Sequence, residues 1–222
     1  MRLFGLKPIF WLLLVVFCVH IFVAAVPANH MVYDEVYYGP SSVDALHGVA
    51  SNLEHPPLVK LIAGASIGLF GDSWLAWRLP IILFSLLALA MTYLIARRFL
   101  SERLSLFAAG LLSLSIIFLL VGSVLILDMP FIALGLAGIY FALRNKFGLS
   151  GLMFGLSFLC KELAVLMFLP MLIYLVVQKT GKWKLVFFGG IAFVVAFFGV
   201  WLFDLVYQPV MLRKRIVVLP FQ

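Results

Sequence analysis

Apolar residues run along this chain in long uninterrupted blocks separated by brief polar punctuation. Seven blocks can be drawn, at about 8–27, 79–96, 104–122, 129–143, 147–160, 163–178 and 185–203. Blocks of this kind read as helices that cross a bilayer, whose hydrocarbon core takes about twenty apolar residues. The fourth and fifth are short at roughly 1.5 Å of rise per residue, a length that suits a helix ending at a polar cavity inside the membrane. The pattern predicts an all-α integral membrane protein with about seven transmembrane helices. Residues 1–222 read as a single membrane module: a first span, a connection over 28–78, six further spans over 79–203, and a tail over 204–222.

The connection over 28–78 is too long for a structureless link. Gly39-Pro40-Ser41 predicts a helix running to about Ser51, with proline among its first residues. Pro56-Pro57 then opens a second helix, LVKLIAGASIGLFG, closed by Gly71. Its apolar run is too short to span and carries Lys60, so it is expected to lie in the interface.

Composition agrees with this outline. The chain is 65% hydrophobic and 11% charged, against about a quarter charged in soluble domains. Its mean hydropathy of +1.20 is spread over several blocks. The N-terminal MRLFGLK precedes an apolar run from Ile9 to Val26, longer than the core of about 7–15 residues in a cleaved secretory signal. A retained first helix is therefore expected, although Val26-Pro27-Ala28 could pass for a cleavage site. Cys18 and Cys160 both fall inside apolar blocks and read as small buried side chains, not as a disulfide framework.

The net charge of +7 raises nucleic acid as a partner, but the bases form short clusters between blocks and no basic stripe. With the N-terminus inside, one face collects Arg2, Lys7, Arg97, Arg98, Arg103, Arg144, Lys146, Lys179, Lys182 and Lys184, ten of the sixteen bases. That satisfies the positive-inside rule. Arg213, Lys214 and Arg215 in the tail depart from it. Of the nine acids, Glu102 alone falls on the inner face; Asp34, Glu35, Asp44, Glu54, Asp72, Asp128, Glu162 and Asp204 fall on or near the outer one. Asp44 and Asp72 read as ordinary loop charge.

Ionisable residues at membrane depth are costly and mark functional sites by default. Asp34 and Glu35 follow the first block, Asp128 ends the third, and Lys161 and Glu162 lie between the fifth and sixth, with Lys60 and Arg78 close by. Such a set brings acids that could deprotonate a hydroxyl and bases that could hold an anion, of which a lipid phosphate is the most available at that depth. The residues alone leave three readings open: group transfer from a lipid phosphate, a transport pathway, and a scaffold.

A resemblance orders them. YDEVYYG, then EHPPLVKLIAG, then WRLP, then LDMP resemble the protein O-mannosyltransferases and their polyprenyl-phosphate-sugar-using relatives, with the lipid A aminoarabinose transferases as more distant cousins. The resemblance implies a C-type glycosyltransferase membrane module whose donor is a polyprenyl-phosphate-linked, mannose-like sugar taken from the membrane. It implies transfer to a protein or lipid hydroxyl on the extracytoplasmic face. The setting would be the plasma membrane of a prokaryote or the endoplasmic reticulum of a eukaryote. It matches Asp34 to the catalytic carboxylate, the base on the acceptor, with Glu35 as its neighbour in the motif. It matches Glu54 and His55 to donor-site positions before Pro-Pro-Leu, Arg78 to an arginine after the second outer helix, Asp128 to the second acidic position, and Lys161 to a lysine facing the donor phosphate. Lys60 is expected beside the same anion.

Family members usually run to several hundred residues with more spans, so a partner chain supplying acceptor recognition, or a catalytically silent module that binds the carrier, stand as alternatives. A transporter using Asp128 and Lys161 as relay groups is the third; it would show paired repeats with broken helices, and no internal repeat is evident. His55 reads as a loop hydrogen-bonding residue and no metal or other cofactor is expected. His20, mid-block, is expected to be paired inside the bundle, with His30 and His47 in loops. Tyr33, Tyr37 and Tyr38 read first as interface anchors and second as a sugar-stacking surface.

Overall fold

In the computed structural model, residues 8–27, 30–49, 51–52, 54–177, 184, 187 and 189–191 are described. The first apolar block forms α1 (Pro8–Ala25), and the second forms α4 (Trp74–Ala96), which starts where the Ser73 hydroxyl caps the Ala76 amide. The fourth and fifth blocks form α7 (Asp128–Leu143) and α8 (Phe147–Cys160). The sixth forms a 3₁₀ turn (Glu162–Ala164) leading into α9 (Val165–Val177). The seventh block and the tail lie almost wholly outside the described residues.

The third block departs from a single span. It is split into α5 (Glu102–Ser113) and α6 (Ile116–Val121), with Leu114 and Ser115 between them. Ser113 turns its hydroxyl back onto the Gly110 carbonyl, the local competition by which serine weakens a helix from inside. Among the described residues, α1 and α4 are the two helices long and apolar enough to cross a membrane alone.

The outer connection holds two helices, one of them displaced from expectation. Its second helix, α3 (Leu58–Phe70), begins at Pro57 and stops at Gly71, whose φ of +79° suits a residue without Cβ. Its first, α2 (Glu35–Leu46), starts four residues before the expected glycine and contains Pro40. Proline removes one backbone donor there, and hydroxyls of Ser41 and Ser42 donate to the Tyr37 and Tyr38 carbonyls in that turn. The helices α2 and α3 pack closely enough that a Cβ on Gly64 would meet the Ser42 carbonyl at 2.6 Å.

The centre of the fold is α4, which packs against α1, α3, α5 and α7, while α7 also packs on α8 and α9. Ile81, Ala88 and Leu89 of α4 meet Leu125, Met129, Ala133 and Leu134 around α7 in one buried apolar core. A smaller core joins Ala142, Phe147, Phe154, Met171 and Leu175 across α7, α8 and α9. Inside the larger bundle His20 is fully buried and paired through Nδ1 with the Ser123 hydroxyl at 2.8 Å. The helices α4 and α7 run in the same direction, since Arg98 after α4 donates to the Leu143 carbonyl ending α7. That pole carries Arg97, Arg98, Arg103, Arg144 and Lys146. The other carries Asp34, Glu35, Glu54, Asp128 and Glu162, while Glu102 lies with the bases.

Candidate functional site

The neighbouring carboxylates Asp34 and Glu35 occupy opposite environments. Glu35 is fully buried. Its Oε1 accepts from Arg78 Nε and from the Leu125 amide, each at 2.8 Å. Its Oε2 accepts from Arg78 Nη2 at 2.6 Å and from the Val32 amide at 2.9 Å. The Arg78 guanidinium, 1% exposed, also donates to the carbonyls of Ala24, Pro27 and His30. An arginine has five N–H donors, and all five are engaged. The pair thereby fastens the end of α1, the 30–35 turn, α4 and the approach to α7 at one point.

Asp34 is exposed at the N-cap of α2. Its carbonyl takes the Tyr37 and Tyr38 amides at 2.9 and 3.0 Å. Its carboxylate makes no capping bond, although an N-terminal aspartate commonly does. The result is a carboxylate without a hydrogen-bond partner among the described residues, on a backbone that the adjacent residue anchors.

Around it the chain gathers further charge. Lys161, in the extended link after α8, donates to Asp128 Oδ1 at 2.7 Å and lies 5.9 Å from the Phe131 ring centre. His55 Nδ1 and Glu162 Oε2 are 3.0 Å apart, joining the loop before α3 to the segment after α8. Tyr38 lies between these groups, its ring centre 6.5 Å from that of His55. Burial pushes the Tyr38 phenol above its usual range, and the charges of Asp34, Asp128, Glu54 and Glu162 push it further in the same direction. Four segments distant in sequence therefore bring carboxylates within electrostatic reach of one phenol. Lys60 is buried at 4% exposed, with its ammonium facing the carbonyls of Ser51, Asn52 and His55. Glu54 is exposed on that loop.

The expected residues thus fall into two sets. Asp34, Glu54, His55, Asp128 and Lys161 surround Tyr38, while Glu35, Arg78 and Lys60 are buried and engaged with their own chain. Sequence reasoning took Tyr38 first as an interface anchor, and set Glu162 with Lys161 among the ionisable residues at membrane depth without giving it a role. The juxtaposed Lys161-Glu162 pair was the available signal for Glu162; nothing local marks Tyr38. Among the described residues no group of three or more histidine, cysteine or acidic side chains is arranged to hold a metal.

Chemically, the charged cluster around Tyr38 offers, among the described residues, a base without a hydrogen-bond partner and a cation with donors to spare. Lysine has three N–H groups, and one of those on Lys161 is taken by Asp128. An exposed carboxylate and an ammonium in one cluster suit proton removal from a hydroxyl and stabilisation of an anion leaving it.

Residues 54–203 match the model of the dolichyl-phosphate-mannose-protein mannosyltransferase family. No curated protein matches the chain. Among solved structures it is similar to ArnT from Cupriavidus metallidurans in the apo state. The TM-score is 0.72 at 20% identity, over 95% of this chain and 44% of that one. ArnT bound to undecaprenyl phosphate gives a TM-score of 0.70 at 20% identity, over 89% of this chain and 41% of that one. The likeness is one of fold, and the chain spans less than half the length of those proteins.

Proposed function

The chain belongs to the dolichyl-phosphate-mannose-protein mannosyltransferase family, and from that premise we propose that it is a membrane glycosyltransferase. It moves a mannose-like sugar from a polyprenyl-phosphate donor to a hydroxyl of a protein or lipid acceptor on the extracytoplasmic face. In this reading the chain crosses the membrane about seven times with the charged cluster around Tyr38 outside and the Arg97–Lys146 pole inside, an orientation supported by the positive-inside rule.

Asp34 takes the proton of the acceptor hydroxyl as its oxygen attacks the anomeric carbon. The bond from that carbon to the phosphate oxygen breaks, and polyprenyl phosphate leaves with the electron pair. Lys161 meets the developing negative charge. The observation that carries this assignment is the carboxylate of Asp34, without a hydrogen-bond partner among the described residues, at an N-cap whose next residue is locked by four hydrogen bonds. Glu54 is exposed as well, but its loop is held through carbonyls by Lys60, not by a buried ion pair at the adjacent residue. Arg78 and Lys60 serve the site from behind, since their donors are engaged, and Lys161 is the cation left to face a phosphate.

Replacing Asp34 by asparagine keeps the shape and removes the base, and losing general-base help costs about 10²–10⁴-fold in rate. Purified protein incubated with a set of polyprenyl-phosphate sugars and hydroxyl acceptors should transfer sugar. The Asp34→Asn variant should bind undecaprenyl phosphate yet transfer nothing detectable. Transfer within about threefold of wild type would remove Asp34 from the role of base.

A further inference from the structure

The loop over 51–55 carries Glu54 and His55 to the charged cluster around Tyr38, yet little in it explains its shape. Among the described residues, no amide of this loop enters a backbone–backbone hydrogen bond. Pro56 and Pro57, which follow, have no amide to give. Asn52 sits in the left-handed region at φ 52°, a conformation disfavoured for residues with a Cβ. A segment of this kind needs an organiser from outside itself.

The organiser in contact with it is Lys60, one turn into α3. Its Nζ lies 3.1 Å from the His55 carbonyl and 3.5 Å from that of Ser51, and it also donates to the Asn52 carbonyl. Three carbonyls facing three N–H groups satisfy an ammonium fully. We propose that Lys60 is the positioning residue of this charged cluster: its ammonium folds the loop before α3 around itself and so sets His55 against Glu162, next to Lys161 in the chain. The relevance of this to sugar transfer rests on the reading given above; the shape of the loop does not.

Lys60 is poorly suited to a purely stabilising role. Burial lowers its pKa to about 8, against a partial upward push from Glu162 and Glu54. Keeping the charge inside therefore works against the fold at neutral pH, while its carbonyl contacts give the loop one defined path. Buried ionic groups that trade stability for a unique arrangement are documented in some proteins.

The test separates loop order from overall folding. Nitroxide labels are placed at Glu54→Cys and Leu69→Cys, in a full-length chain whose Cys18 and Cys160 are replaced by alanine. Electron–electron distance measurements then compare wild-type Lys60 with Lys60→Met and Lys60→Gln. Wild type should give a narrow distribution, and both variants one at least twice as broad at an unchanged or higher melting temperature. Undecaprenyl phosphate, added as the probe, should bind the two variants about tenfold more weakly. A distribution as narrow as wild type in either folded variant overturns the proposal. If wild type fails to bind the lipid while the variants still broaden, the transfer reading falls and the loop assignment stands.

Discussion

The Glu35–Arg78 pair makes a quantitative prediction about what holds this end of the bundle together. Both side chains are essentially excluded from solvent, at 0% and 2% exposed, and every donor and acceptor is matched within the chain. Removing one member of such a pair strands the other as an uncompensated buried charge, at a cost of about 3–5 kcal/mol. Replacing Glu35 by alanine leaves Arg78 with three carbonyls and no counter-charge. It also strands the Val32 and Leu125 amides, each worth roughly 1–3 kcal/mol when buried without an acceptor. The expected loss is therefore at the upper end, about 4–5 kcal/mol. Removing both charges in Glu35→Ala with Arg78→Met leaves no stranded ion. The double variant should be less destabilised than the sum of the singles, with a coupling of at least about 2 kcal/mol. Reversible unfolding in mixed micelles, titrated with a denaturing detergent, measures all three variants. If Glu35→Ala and Arg78→Met each cost less than about 1 kcal/mol, or if their losses simply add, the pair is not the fastening point argued here.

Further outcomes are expected from the same geometry. Lys161→Gln should weaken undecaprenyl phosphate binding by roughly tenfold or more, the worth of a hydrogen bond to a charged group. Its melting temperature should stay near wild type, and unchanged affinity by equilibrium binding would take Lys161 out of the donor site. Folded Lys60 gives up its proton at about 8, whereas in the unfolded chain it keeps it to its ordinary value near 10.5. The unfolded state binds more protons across that window, so stability contributed by Lys60 rises with pH between the two values. Denaturation at pH 7.5 and 9.5 should show this rise in wild type and its absence in Lys60→Met. A cysteine at the exposed His47 position should react with an impermeant maleimide added to intact cells; labelling that needs opened membranes would invert the topology.

Where the sequence was informative, the reason is local. The boundaries of α1, α4, α7 and α8 follow apolar runs whose ends are marked by proline, serine or charge, and α3 is bracketed by Pro57 and Gly71. The start of α2 was not legible. Pro40 looks like a first-turn residue, yet the helix begins at Glu35 because that side chain finds Arg78 forty-three residues later. The break in the third block was hidden in the same way, since Ser113 and Ser115 are tolerated in some helices and interrupt this one. The acidic pole could be assembled from order along the chain. Which base faces a ligand and which faces its own backbone could not, because Arg78, Lys60 and Lys161 look alike until their donors are counted. Tyr38 stayed hidden for a related reason: its distinction is the four carboxylates that folding brings around it.

The side-by-side acids Asp34 and Glu35 show how one turn of chain supports both a buried, fastened carboxylate and an exposed one. Successive residues at the start of a helix point in directions about 100° apart at 3.6 residues per turn. Anchoring one of them in the core therefore turns the next toward the surface. Glu35 meets Arg78 and two amides, a set that matches both of its oxygens and leaves no capacity for chemistry. Asp34 inherits the resulting backbone position while its own oxygens have no hydrogen-bond partner among the described residues. Exchanging the two residue types would not exchange their roles. A glutamate at 34 is one methylene longer and would carry the carboxylate past the place the backbone assigns it. An aspartate at 35 would fall short of Arg78 by a similar distance. A base that must reach an acceptor hydroxyl needs heavy-atom separations of about 2.6–3.2 Å, so a displacement of one methylene is enough to matter. On this argument the ordered pair Asp-Glu is the functional unit, and the doubly exchanged chain, Asp34→Glu with Glu35→Asp, should lose both stability and transfer despite an unchanged charge.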